Sequence, residues 1–244
     1  MYGACVASNG VSFTINSHGA TRCTLLLFKP QAPKPYARIP FPDSYRIGDT
    51  YSMLVYDIKP DEFEYAFSFD GPYEPAKGLL FNEENVLLDP YSRAVTGQRK
   101  WGEKPEGGKD FEYRARVVKS SFDWGNIKQL EQPLEDLVIY ETHVRGYTKD
   151  KSSGVSAPGT FAGLKDKIPY LKDLGINAVE LMPIFEFDEM ESARVVDGVQ
   201  LYNYWGYNTV SFFAPNTSYA FNEEHNHEGD RKSTRLPSSH ITKT

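Results

Sequence analysis

The sequence predicts a multidomain chain, an all-β antiparallel front half followed by an α/β back half. Short alternating runs broken by turn residues fill the stretch from Val11 to about Gly97. Beyond Pro133, two continuous apolar runs flank a segment of helical period. Hydrophobic residues make up 40% of the 244 and aromatics 14%, so each half has material for a core of its own.

In the front half, Val11-Ser12-Phe13-Thr14-Ile15 alternates and reads as a half-buried strand. Arg22 to Phe28 is β-prone and apolar. Tyr51 to Tyr56 and Phe63 to Phe69 supply two more strands. Pro30 to Pro42 interrupts them as a Pro-rich loop, and Asp70-Gly71-Pro72 closes the last clear strand with a turn. Strands of this length and spacing predict a small β-sandwich over 1–100. From 101 to 133 the chain turns polar and glycine-rich, which reads as a linker.

In the back half, Leu137-Val138-Ile139-Tyr140 has the continuous apolar character of a strand buried on both faces, and Ala178 to Met182 repeats it before Pro183. Between them Phe161, Leu164, Ile168, Leu171 and Leu174 recur at helical spacing. Thr160 stands at the N-cap position and Gly175 where a left-handed C-cap is wanted. Pro169 predicts a kink or a division of that helix. A strand, a long crossover and a second strand imply a parallel pair.

Charge and composition narrow the partners. The net charge is -6 with no basic stripe, so nucleic acid is not expected. Neither a signal-peptide start after Met1 nor a run of ~20 apolar residues is present, so no membrane partner is expected. Cys5 and Cys23 give no disulfide framework, and a reducing cytoplasm fits them. The sixteen Tyr, fifteen Phe and three Trp suit either sugar stacking or a β-rich core.

Three segments carry a resemblance. Val138-Ile139-Tyr140-Glu141-Thr142-His143-Val144-Arg145-Gly146-Tyr147-Thr148 resembles the first barrel strand of glycoside hydrolase family 13. Tyr170 to Ile184, running Tyr-Leu-Lys-Asp-Leu-Gly-Ile-Asn-Ala-Val-Glu-Leu-Met-Pro-Ile, resembles its first helix and second strand. Asn203-Tyr204-Trp205-Gly206-Tyr207-Asn208, with Phe212-Phe213-Ala214-Pro215 and Tyr219-Ala220, is similar to isoamylase-type glycogen debranching enzymes. In the front half, Phe69 to Pro75, Phe81-Asn82 and Leu87-Leu88-Asp89-Pro90-Tyr91 resemble the family 48 carbohydrate-binding module. The resemblance spans about Val11 to Gly229.

It implies an immunoglobulin-like sandwich followed by the first β/α units of an incomplete TIM (β/α)8 barrel at 134–229. The implied activity is α-1,6 debranching of glycogen or another branched α-glucan, with no cofactor. Retaining hydrolysis needs two carboxyl groups about 5 Å apart, and the family carries them on the fourth and fifth strands. This chain is read as reaching only two, so no catalytic residue is assigned and the chain by itself is expected to be inactive.

Tyr207 matches the tyrosine that stacks under the sugar in the family and is the first candidate for substrate binding, against core packing. Trp205 is the second, against bracing of its loop. Glu141, Glu180, Glu186, Asp188 and Glu189 are local acids with no role implied by the family, and Glu186 and Asp188 read as hydrogen-bonded, solvated loop residues. His143 reads as orienting a loop rather than as a base. No metal site is assigned, because His225 and His227 beside Glu228 lack a third placed ligand. Trp101, Trp124 and Tyr73 are candidates for glycan stacking on the front domain.

From Asp230 to Thr244 the pattern is lost. The segment resembles the translation of a sequencing-library adaptor and is read as a non-native tail, with a native disordered tail as the alternative. A branching-enzyme fragment and a non-catalytic glycan-binding module stay open as other functions.

Overall fold

The computed structural model describes residues 1–96, 101–103, 113–119 and 132–221. Most of the expected linker, with Trp124, lies outside these residues, as do His225, His227, Glu228 and the tail. The chain divides into two compact units. The first takes Met1–Gly97, Lys104–Lys119 and Ser211–Ala214, and the second Gln98–Glu103, Ser120–Val210 and Pro215–Thr244.

The first unit is a two-sheet β-sandwich. Its strands are β1 (Gly3–Ala7), β2 (Gly10–Asn16), β3 (Arg22–Phe28), β4 (Ala37–Pro40), β5 (Arg46–Ile47), β6 (Thr50–Tyr56), β7 (Glu64–Asp70), β8 (Tyr73–Glu74), β9 (Leu79–Leu80), β10 (Val95–Thr96) and β11 (Arg114–Ala115). One sheet runs β1-β2-β6-β5 and the other β10-β11-β7-β3-β4, while β8 and β9 form a separate hairpin.

Alternation explains the layering. Val11, Phe13 and Ile15 of β2 point into the core with Tyr51 and Met53 of β6, and meet Leu25, Leu27, Tyr65 and Phe67 from the opposing sheet. On the outer face of the same strand, Thr14 exchanges a 2.7 Å hydrogen bond with Ser52. Burying each large apolar side chain contributes roughly 2 kcal/mol, and this cluster is why the sandwich forms. The central strand β7 is buried on both faces, since Ala66 packs with Leu26, Phe28 and Val86 behind the sheet. Below it Asp89 accepts the Tyr65 hydroxyl at 2.6 Å and the Tyr91 amide at 2.9 Å, which gives the Leu87–Tyr91 motif a structural task.

The second unit begins with β12 (Ile139–Thr142), α1 (Val144–Lys149), α2 (Phe161–Asp166), α3 (Ile168–Asp173) and β13 (Ala178–Leu181). β12 and β13 pair in parallel, Ile139 opposite Ala178 and Glu141 opposite Glu180. The helical segment divides at Lys167, where Pro169 starts α3 instead of continuing α2. The Thr160 side chain accepts the Gly163 amide as N-cap. At the far end Gly175 is left-handed (φ 89°), Ile176 N–H donates to the Leu171 carbonyl and Gly175 N–H to that of Lys172. That pair of bonds closes the helix with a Schellman motif.

Val138 and Ile139 belong to an apolar run that suits a strand buried on both faces, yet they are 50% and 57% exposed, because a single parallel pair lacks the neighbours that closure of a barrel supplies. Among the described residues β12 and β13 pair only with each other, so nothing covers that part of the run.

The rest comprises β14 (Phe185–Phe187), β15 (Arg194–Val196), β16 (Val199–Leu201) and β17 (Thr209–Pro215). β15 and β16 form a hairpin whose turn residues, Asp197 and Gly198, both have positive φ (51° and 78°), as a type I′ turn requires.

Candidate functional site

The site that the second unit builds is the turn from Asn203 to Asn208 and the groups beneath it. Its entry is tied down twice. Asn203 N–H donates to the Glu189 carbonyl at 2.9 Å, and Gly206 N–H donates to the Asn203 side chain at 3.3 Å. Gly206 has φ 78°, and a Cβ there would overlap the Phe187 ring, so only glycine lets the turn lie flat on this core. At the exit the Asn208 side-chain Nδ2 donates to the Glu191 carboxylate.

Held this way, the turn presents its aromatic rings outward. Tyr207 is 71% exposed and Trp205 54% exposed, and both rings are open to solvent over much of their area. Trp205 lies edge-on to Tyr204, 5.4 Å between centroids, and edge-on to His143 at 6.2 Å. A planar ring offered to solvent beside hydrogen-bonding groups suits the apolar face of a pyranose.

Underneath lies a buried aromatic cluster. Phe161, Phe187 and Tyr219 pack with Val144 and Leu164. Trp101 stacks on Tyr219 with an interplanar angle of 11° and carries the Arg145 guanidinium 4.5 Å above its ring. The structure therefore places Trp101 in the packing of the second unit, not on a sugar-stacking face of the front domain. Tyr73, the other described candidate there, is exposed on β8.

His143 is 7% exposed and both of its ring nitrogens are engaged. Nδ1 accepts the Gly146 amide at 3.1 Å, and Nε2 lies 2.8 Å from the Tyr204 carbonyl. Burial pulls its proton affinity below the ordinary imidazole value, the bond to Tyr204 opposes this, and Arg145 adds to it.

The acids part company. Glu141 and Glu180 sit opposite each other and exposed. Glu186 is hydrogen-bonded, as its loop position suggests, but not solvated: it accepts the Thr217 amide at 2.8 Å and the Thr217 hydroxyl at 3.3 Å and is completely buried. Thr217, 31 positions along the chain, closes over it. Burial pushes its carboxyl well above the usual range, with the Thr217 bond opposing. Glu189 is also buried, accepts the Ser218 hydroxyl at 2.7 Å, and is pushed up to about 7, chiefly by burial. Asp188 uses one oxygen to accept the Met190 amide.

The sequence reading did not single out Glu189's burial, Tyr219 or Arg145 as parts of one assembly. Tyr219 was visible only inside a motif. Among the described residues no group of three or more His, Cys, Asp or Glu could hold a metal ion.

Comparison with known proteins adds the following. Residues 1–92 match the model of carbohydrate-binding module 48 (isoamylase N-terminal domain). Isoamylase 1, chloroplastic, of Oryza sativa subsp. japonica is 37% identical over 225 residues, 89% of this chain and 28% of that protein. The glycogen debranching enzyme of Yersinia enterocolitica is 35% identical over 230 residues, 88% of this chain and 33% of that protein. The chain thus spans a third or less of the length of these relatives. Among solved structures, apo pullulanase from Paenibacillus barengoltzii matches with TM-score 0.71 at 20% identity, over 93% of this chain and 33% of that one. Pullulanase from Anoxybacillus sp. LM18-11, complexed with maltotetraose, matches with TM-score 0.69 at 22% identity, over 98% and 32%. At these identities the likeness to the pullulanases is one of fold.

Proposed function

We propose, from the premise that residues 1–92 are a family 48 carbohydrate-binding module of the isoamylase N-terminal kind and the chain is a relative of isoamylases and glycogen debranching enzymes, that it is the N-terminal part of a debranching glycoside hydrolase. Its substrate is glycogen or another α-1,6-branched glucan. The observation that carries this reading is 37% identity across 89% of the chain. The names of these relatives support debranching over branching.

In this reading the binding module is 1–100 together with β11, which the expected linker 101–133 returns to the module's sheet; 134–229 is the opening of the catalytic barrel and 230–244 a non-native tail. β12 and β13 are the first two staves of a (β/α)8 barrel, whose active sites gather at the C-terminal ends of the strands. Tyr207 and Trp205 offer their rings to a glucose unit there. Hydrolysis with retention calls for an acid and a nucleophilic carboxylate about 5 Å apart. Glu186 and Glu189 are committed to the 217–218 turn, and we assign neither to catalysis. The cysteine pattern fits a cytoplasmic address, although the rice relative is named as chloroplastic.

Affinity electrophoresis through glycogen tests the binding claim. The 244-residue protein should be retarded, Tyr207→Ala should weaken the retardation several-fold, and a reducing-end assay should show no release of linear chains. Unhindered migration of the wild-type protein sinks the glucan reading, and chain release above a blank sinks the claim of inactivity.

A further inference from the structure

We infer that His143 is a positioning residue, a two-ended strut that fixes the Tyr204–Tyr207 turn to the first turn of α1 and thereby sets the outward rings. The inference deepens the glucan reading and rests on it only for its ligand arm.

The proton inventory of the imidazole decides the matter. The Gly146 amide donates to Nδ1, so Nδ1 carries the lone pair and the ring's proton sits on Nε2. Nε2–H then points at the Tyr204 carbonyl, 2.8 Å away. The Tyr219 hydroxyl oxygen lies 3.2 Å from the same nitrogen, as a second acceptor. One end of the ring thus caps α1, and the other grips a residue 61 positions later.

Ring packing reinforces the grip. His143 stacks flat on Tyr204, 4.2 Å between centroids and 12° between planes. Gly146 makes this seat possible, because a Cβ there would run into the Tyr204 hydroxyl. The ring is 7% exposed, with Tyr204 flat against it and Trp205 edge-on to it. A protonated ring would set a second N–H against the Gly146 amide, and burial together with Arg145 keeps the neutral form in place.

Two substitutions separate the two ends. His143→Asn keeps an acceptor for the Gly146 amide, asparagine being a strong N-cap, and loses the reach to Tyr204. His143→Gln reaches Tyr204 and loses the cap. Amide exchange of Gly206 should accelerate about tenfold in His143→Asn, the effect of one lost hydrogen bond, while Gly146 keeps its protection. In His143→Gln the pattern should reverse, with Gly146 accelerated and Gly206 close to wild type. Retardation by glycogen should fall several-fold in His143→Asn and recover most of the way in His143→Gln.

Unchanged Gly206 exchange in a folded His143→Asn protein overturns the inference. So does equal acceleration at Gly146 and Gly206 in both variants, which is what a merely structural histidine gives. If the wild-type protein ignores glycogen, the glucan reading fails, and the exchange arm still judges His143 by itself.

Discussion

Glu189 shows what a single buried carboxyl does to the whole protein's response to acid. Its folded value of about 7 stands above the ordinary 4.5 because burial disfavours the charge more than the Ser218 hydroxyl restores it. The folded state therefore holds a proton that the unfolded chain has released between these values. Stability from this group is fully present below about pH 4.5 and is lost as pH rises through about 7, on the order of 3 kcal/mol. Glu186 acts with the same sign, its carboxyl raised by the same cause. Urea unfolding at pH 5 and pH 8 should show wild type losing more stability across that interval than Glu189→Gln. An equal loss in both proteins rules the assignment out. None of this was legible in the sequence, which places Glu186, Asp188 and Glu189 together but is silent on Thr217 and Ser218 folding back over them. Tyr207 and Trp205, by contrast, were singled out from their motif alone.

At the scale of elements, the two ends of the central helical segment are legible in the sequence. Thr160 caps α2 and Gly175 closes α3 because a cap depends on residues within four positions of it. Thr160→Ala should cost about 1 kcal/mol in thermal or urea unfolding. Gly175→Ala should cost a similar amount, roughly 1 kcal/mol, because a Cβ is strained at φ 89° even though open space surrounds it. Elements that depend on distant partners escaped. β4 lies inside the Pro-rich loop and exists because β3 supplies its ladder, Thr24 opposite Pro40. β1 has no strong alternation and is recruited by β2, from Gly3 opposite Thr14 to Ala7 opposite Gly10. The short helix α1 hides in a motif, and only the His143 cap marks its start.

For the whole molecule, two texture changes along the chain were enough to separate an antiparallel sandwich from a parallel β-α-β unit, since periods of two and of 3.6 residues leave different prints. The open faces of the second unit follow from the same pattern, because an apolar run announces what it needs and two parallel strands alone do not supply it. β3 and β7 are sealed on both faces, whereas β12 and β13 leave Val138 and Ile139 open and set Glu141 abreast of Glu180. Native-state hydrogen exchange should accordingly protect the β3 and β7 amides about a hundredfold more than those of β12 and β13. Comparable protection would mean that the second unit stands unaided. No helix among the described residues is long and apolar enough to cross a membrane.

Pro40, last residue of the strand that borders the five-stranded sheet, carries a further implication for crowded solutions. It has no amide hydrogen to extend toward a visiting chain, so that margin is a poor template for sheet-to-sheet growth. Fibrils or amorphous clumps that form on storage should therefore be seeded at the open parallel pair sooner than at that margin.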